Sequence, residues 1–139
     1  MTFQRMIEQR FASRIAVNKI RAKSLVIASK EAIQTAKEIP IKDEKLKSII
    51  RELYEGLRQF CEAIGYTKGF KFNNHEVIAD FLKDELKEPS LALKFDKYRK
   101  IRNGINYYGD AIPQESVKEA INEIPTMIKT LGKHYTTNG

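Results

Sequence analysis

Cysteine is nearly absent from this chain: Cys61 stands alone, which excludes an internal disulfide framework and a zinc site built on thiolates. Histidine is almost as scarce. With only His75 and His134, neither a Ser-His-Asp set nor a multi-histidine metal site can be assembled beyond a bare minimum. Seven glycines and four prolines are too few for a loop-rich, fibrous or disordered chain. No stretch approaches the about 18 uninterrupted apolar residues of a membrane span. No apolar signal-peptide core follows Met1-Thr2-Phe3-Gln4-Arg5. Internal repeats, low-complexity tracts and interdomain linkers are missing as well. These absences leave a soluble, cytoplasmic protein with no cofactor and no membrane partner as the expectation, and 139 residues suffice for one domain with a real core.

What is present is basic. Lys and Arg number 25 against 18 Asp and Glu, a formal charge of +7 that favours polyanionic partners. The excess is concentrated at the start, where Arg5, Arg10, Arg14, Lys19, Arg21, Lys23 and Lys30 face Glu8 alone. In the same segment Ile7, Phe11, Ile15, Ala22, Leu25, Ile33 and Ala36 recur at helical spacings, with no Gly or Pro before Pro40. This predicts one long helix over about 3–38 with basic outer faces. Such faces serve either as solvated surface or as a track for nucleic acid.

Asp43 can cap a second helix through about Ile64, with Leu46, Ile49, Ile50, Leu53, Leu57, Phe60 and Ile64 as its apolar face and Gly65 as its stop. Cys61 lies among those apolar residues and reads as a small core residue. Residues 65–72 form the most loop-like interior stretch. There Tyr66, Phe70 and Phe72 can plug the bundle end, or join Lys68 and Lys71 as a platform for single-stranded RNA. Asn73 and Glu76 have capping-box spacing for a third helix over about 74–87, which Pro89 closes. Its acidic residues Asp80, Asp84 and Glu85, with Glu88, read as a solvated side. Ser90 can cap a fourth helix over 91–108, ended by Gly109. Pro113 opens a fifth to about Lys133, which Pro125 should kink or divide. Alternating strand patterns are absent. The expected class is all-α, an antiparallel bundle of four to five helices with a loose tail over 134–139.

The fourth helix has two distinct faces. At about 100° per residue, Leu91, Phe95, Tyr98, Ile101, Ile105 and Tyr108 share a broad apolar arc. The adjoining arc holds Arg102, Asn106, Arg99, Asn103 and Tyr107 without one carboxylate. Guanidiniums, carboxamides and a phenol in one strip suit phosphate or RNA, and they suit polar packing between helices equally. Two Asn residues in mid-helix point to a role that helix propensity does not supply.

The segment Lys97-Tyr98-Arg99-Lys100-Ile101-Arg102-Asn103-Gly104-Ile105-Asn106-Tyr107-Tyr108-Gly109 resembles the signature helix of the HEPN domain, named for higher eukaryotes and prokaryotes nucleotide-binding. Residues 53–66 and 74–82 resemble the family's second and third helices, so the similarity spans about 43–130. The resemblance implies a helical bundle that forms a homodimer with its signature helices facing each other across a cleft. It also implies RNA or nucleotide binding, metal-independent ribonuclease activity in many members, and in toxin members a small nucleotidyltransferase as antitoxin partner. Other members have lost catalysis and act as binding or interaction modules. Carried onto this chain, Arg102 matches the signature Arg and Asn103 the polar residue after it.

Where the family has His four to six residues beyond that Arg, this chain has Tyr107, followed by Tyr108. A phenol with an ordinary pKa of about 10 is a poor base at neutral pH, whereas an imidazole of about 6.5 suits the transfer of a 2′-hydroxyl proton. Arg102, Asn103 and Tyr107 are thus the candidate catalytic residues, and Arg99, Asn106 and Tyr108 the candidate RNA- or nucleotide-binding residues. His75 reads as a surface or packing residue at the start of the third helix and His134 as part of the tail, with a supporting role in a dimer cleft left open for both.

Overall fold

The chain does not run as one helix from residue 3 to 38. In the computed structural model, which describes residues 2–135, that segment divides into helix α1 (Phe3–Glu8), a short strand β1 (Ala12–Arg14) and helix α2 (Lys19–Glu38). The break has local causes. Thr2 caps α1 by accepting from the Arg5 amide, Arg10 takes a left-handed φ of 65°, and Asn18 starts α2 by accepting from the Arg21 amide at 2.9 Å. It also has a tertiary cause. Leaving the helix lets Phe3 and Met6 enter the core, where Phe3 meets the rings of Phe70 and Phe81 edge-on at centroid distances of 5.2 and 5.4 Å. Phe11, expected on the buried face, lies in the turn and is 39% exposed.

Helix α3 (Leu46–Lys68) follows a 3-10 turn over Asp43–Lys45 and forms the centre of the molecule. All seven residues of its expected apolar face are buried, together with Tyr54, Gly56, Cys61 and Ala63. Gly65 does not stop it. Gly69 does, in the left-handed conformation at φ 83°, with its amide returning to the carbonyls of Gly65 and Tyr66. The stretch expected to be a loop therefore supplies the last turn of α3 and strand β2 (Phe70–Phe72). This strand pairs antiparallel with β1 in the register Ala12↔Phe72, Ser13↔Lys71, Arg14↔Phe70. These are two strands where none was expected. A three-residue pair between distant segments leaves no periodicity to read. Phe70 and Phe72 are buried with Phe3 and Phe81, so the aromatic residues do plug this end of the bundle, while Lys71 points outward.

Helix α4 (Glu76–Asp84) is shorter than expected. It is capped by Asn74, which accepts from the Val77 amide at 2.9 Å. Helix α5 (Pro89–Tyr108) takes Pro89 into its first turn, where a missing amide proton is harmless, and ends at Gly109 with φ 66°. Helix α6 (Gln114–Leu131) runs through Pro125 without dividing. α2, α5 and α6 pack on α3, and α4 packs on α5, so the described residues form an all-α bundle apart from the small β1–β2 pair.

Two acidic residues of the third-helix region do more than meet solvent. Asp84 accepts from the Phe3 amide at 2.7 Å and ties α1 to the end of α4. Glu88 accepts a hydrogen bond at 3.0 Å from His134 and pairs with Lys133 at 3.1 Å. His134 is thus held in a 3-10 turn (Gly132–His134), and Tyr135 packs beside Phe60; residues 136–139 of the expected loose tail lie outside the described residues. No helix among the described residues is long and apolar enough to cross a membrane.

Candidate functional site

One flank of α5 faces the start of α4 across an open cleft of about 510 Å³. α5 supplies Arg99, Arg102, Asn103 and Tyr107, and the β2–α4 connection with the first residue of α4 supplies Asn73, Asn74, His75 and Glu76. The spacing of three and four residues explains the first group, because it aligns side chains on one stripe of a helix. The second group is brought there by β2, which turns the chain back toward α5 after α3 ends.

The two guanidiniums are held differently. The Arg99 Nε donates to Asp96 Oδ1 at 2.8 Å, one turn earlier on the same helix. Burial opposes the charge on Asp96, but the hydrogen bonds from Arg99 and Lys100 outweigh it and hold that carboxyl below its ordinary value. Arg102 makes no ion pair among the described residues. Its Nη1 donates to Asn103 Oδ1 at 3.2 Å, and its Cζ sits 5.5 Å from the centre of the Tyr54 ring. The remaining donors of that fork are available to an oxyanion.

Not all of the expected strip converges. Asn106 turns toward α3, where its Oδ1 accepts from Arg51 Nε at 2.8 Å, so it serves the polar packing that was the alternative reading of this face. Tyr107 lines the cleft and is 69% exposed. Tyr108 is 81% exposed, outside both the cleft and the core arc to which the helical wheel assigned it.

The residue that sequence reasoning set aside is His75. Its Nδ1 lies 3.1 Å from the hydroxyl of Tyr54, and the two rings are 5.8 Å apart. Burial, then Arg58, Arg102 and Arg99, together lower the imidazole pKa to about 4 against the opposing pull of Glu55. Burial likewise pushes the Tyr54 phenol above its ordinary value, with Arg102 and Arg58 countering only in part. Both groups are therefore neutral near pH 7. Behind them Arg58 is tied to Glu55 and Glu62 within α3.

Compared with known families, curated proteins and solved structures, the chain matches none. The cleft therefore has to be interpreted from its own chemistry.

That chemistry is anion recognition beside an uncharged imidazole. Two guanidiniums and the carboxamides of Asn74 and Asn103 offer donors to phosphate oxygens, and an exposed phenol ring at the rim offers a stacking face. Asn73 is engaged by Arg10 and Ser13, and Glu76 is the one carboxylate of the lining. Elsewhere the candidates thin out. Cys61 is fully buried and its thiol is pushed up by burial, with only Arg58 opposing, which is the environment of an inert core cysteine. Among the described residues no group of three or more His, Cys, Asp or Glu could hold a metal ion.

Proposed function

We propose that this protein is a HEPN-like RNA- or nucleotide-binding protein that uses the α4–α5 cleft, and that it acts as a metal-independent endoribonuclease. The observation that carries this reading is the convergence of Arg99, Arg102, Asn103 and His75 in one open cleft, in which Arg102 has no carboxylate partner among the described residues. Arg102 would hold a phosphodiester through paired N–H donors and stabilise the charge that builds on it, Asn103 would orient both, and Tyr107 would stack on or position the neighbouring nucleotide. The net charge of +7 and the exposed Lys19, Arg21, Lys23 and Lys30 on α2 add a long-range attraction for polyanions. Exposed Leu93, Tyr107 and Tyr108 on α5 support the homodimer that the resemblance implies. A nucleotidyltransferase-type antitoxin is the partner that the same resemblance assigns to a toxin of this kind.

The test is cleavage of mixed cellular RNA in the presence of chelator by the wild type and by Arg102→Ala. The expected result is cleavage by the first and none by the second. Cleavage that is indifferent to Arg102 removes this reading.

A second reading has a specific observation behind it. Tyr107 occupies the place of the motif histidine, which favours a non-catalytic binding or interaction module of the same fold. It predicts Arg102-dependent RNA or protein binding without turnover, and gain of cleavage on Tyr107→His would show an intact cleft that lacks only its imidazole.

A further inference from the structure

His75 is 27 positions before Arg102 in the chain, yet it lines the same cleft. Three geometric facts set it apart from an ordinary packing histidine. Its Nδ1 is engaged by a buried tyrosine hydroxyl from a third element, α3, which fixes the ring. Its Nε2 makes no hydrogen bond among the described residues. And the charged groups that share the cleft with it are the two guanidiniums of Arg99 and Arg102 and the single carboxylate of Glu76.

We infer that His75 is the catalytic proton acceptor of this cleft, supplying from the start of α4 the imidazole that α5 lacks at Tyr107, for cleavage of single-stranded RNA. The inference rests on the ribonuclease reading above. In the tautomer this role requires, Nδ1–H donates to the Tyr54 hydroxyl at 3.1 Å, which leaves the Nε2 lone pair for the substrate. The 2′-oxygen then attacks the adjacent phosphorus, the O2′–P bond forms and the P–O5′ bond breaks. The 2′-hydroxyl proton passes to Nε2, and water delivers a proton to the departing 5′-oxygen. The products are a 2′,3′-cyclic phosphate and a 5′-hydroxyl, and the imidazolium returns its proton to solvent. Arg102 and Arg99 bear the charge on the phosphoryl oxygens.

The charged surroundings shape the pH dependence. Arg58 and Glu55 on α3, Arg99 and Arg102 on α5 and Glu76 beside it on α4 are the ionic groups around His75, and Tyr54 is neutral. In the empty cleft burial first, then Arg58, Arg102 and Arg99, keeps the imidazole unprotonated down to about pH 4. A bound phosphodiester offsets the charge of Arg99 and Arg102, so its proton affinity rises in the complex. A base must be unprotonated to act, and kcat/KM should therefore fall on acidification with a limb near pH 4. The corresponding limb in kcat should lie at higher pH.

The experiment measures metal-free cleavage of a single-stranded RNA from about pH 3 to 8 by the wild type, His75→Gln, Arg102→Ala and the remote His134→Gln. Binding of the same sequence with 2′-O-methyl groups, which cannot be cleaved, is measured in parallel. Expected for His75→Gln are a fall in kcat of about 10²–10⁴-fold, loss of the acid limb and retained affinity for the methylated RNA; His134→Gln should match the wild type. Cleavage that needs Arg102 but survives His75→Gln with its acid limb overturns the inference and leaves the ribonuclease reading standing. Arg102-dependent binding with no cleavage by the wild type overturns the inference and leaves the binding module. Absence of Arg102-dependent binding overturns both.

Discussion

The two flanks of α5 carry similar numbers of cations and treat them in opposite ways. Toward α6, Lys97 pairs with Glu119 and Glu123, each at 2.9 Å, Lys94 reaches Glu123 at 3.6 Å, and the buried Tyr98 donates to Glu123 at 2.5 Å. Every cation there has a carboxylate from the neighbouring helix. Toward α4, Arg99 pairs with Asp96 of its own helix and feels the Glu76 carboxylate without an ion pair to it, and Arg102 has a carboxamide and an aromatic face. A flank whose charges are satisfied internally holds two helices together. One whose charges are left short is stable only because water or a ligand completes them.

Charge reversal should separate the flanks most strongly. Arg102→Glu should weaken binding of a single-stranded RNA by at least about 10–100-fold, since hydrogen bonds to charged groups contribute about 1.5–3 kcal/mol each. Lys97→Glu removes the same charge and should leave affinity within about threefold; fluorescence anisotropy reads both. Equal losses would break the comparison and reduce binding to diffuse attraction. Next in size is stability. Glu123→Ala strips Lys97, Lys94 and the Tyr98 hydroxyl of their common acceptor and should cost about 1–3 kcal/mol in urea denaturation, whereas Arg102→Ala should cost less.

Acidification should destabilise both flanks in separate windows. Burial opposes the charge on Glu123, but the hydrogen bonds from Lys97 and Tyr98 prevail and hold its carboxyl below the ordinary glutamate value, so its contribution is present above that value and lost as pH falls through the folded one. His75 has a folded pKa of about 4 against 6.5 unfolded, so the unfolded chain binds the extra proton first, and stability declines as pH falls from about 6.5 through 4. His75→Gln should flatten the upper window and Glu123→Gln the lower, as thermal midpoints measured against pH would show. The smallest effect concerns Tyr108. Its replacement by Ala should change stability by no more than about 0.5 kcal/mol and leave RNA affinity unaltered, while Tyr107→Ala should weaken affinity by up to the about 1–3 kcal/mol of one stacked base.

How much of this was legible in the sequence follows from what each signal depends on. The register of α3 was readable because a helix buried along one side needs apolar residues at every third or fourth position, and Leu46 through Ile64 supply them. The end of α5 was readable because Gly109 is a local signal. The division of residues 3–38 was not, since the turn at Arg10 contains no Gly or Pro and β1 finds its partner 60 residues away. The same limit applied to the site. Arg99, Arg102, Asn103 and Tyr107 lie on one helix stripe and were found together. His75 joins them only through the packing of α4 on α5 and a hydrogen bond to Tyr54, relations between segments that no spacing records. Tyr108 was misplaced for a related reason, because a helical wheel gives direction around an axis and not the point at which a neighbour ends.

The pairing of β1 with β2 also sets a timetable. Ala12 leaves the ribosome 60 residues ahead of Phe72, its partner in the ladder. At synthesis rates of about 5–20 residues per second, that is a delay of about 3–12 s. Throughout it Phe3 and Met6 have no Phe70, Phe72 or Phe81 to pack against. Phe3 and Met6 are thus exposed on the nascent chain until the segment that buries them has been made, and during that interval they need shelter.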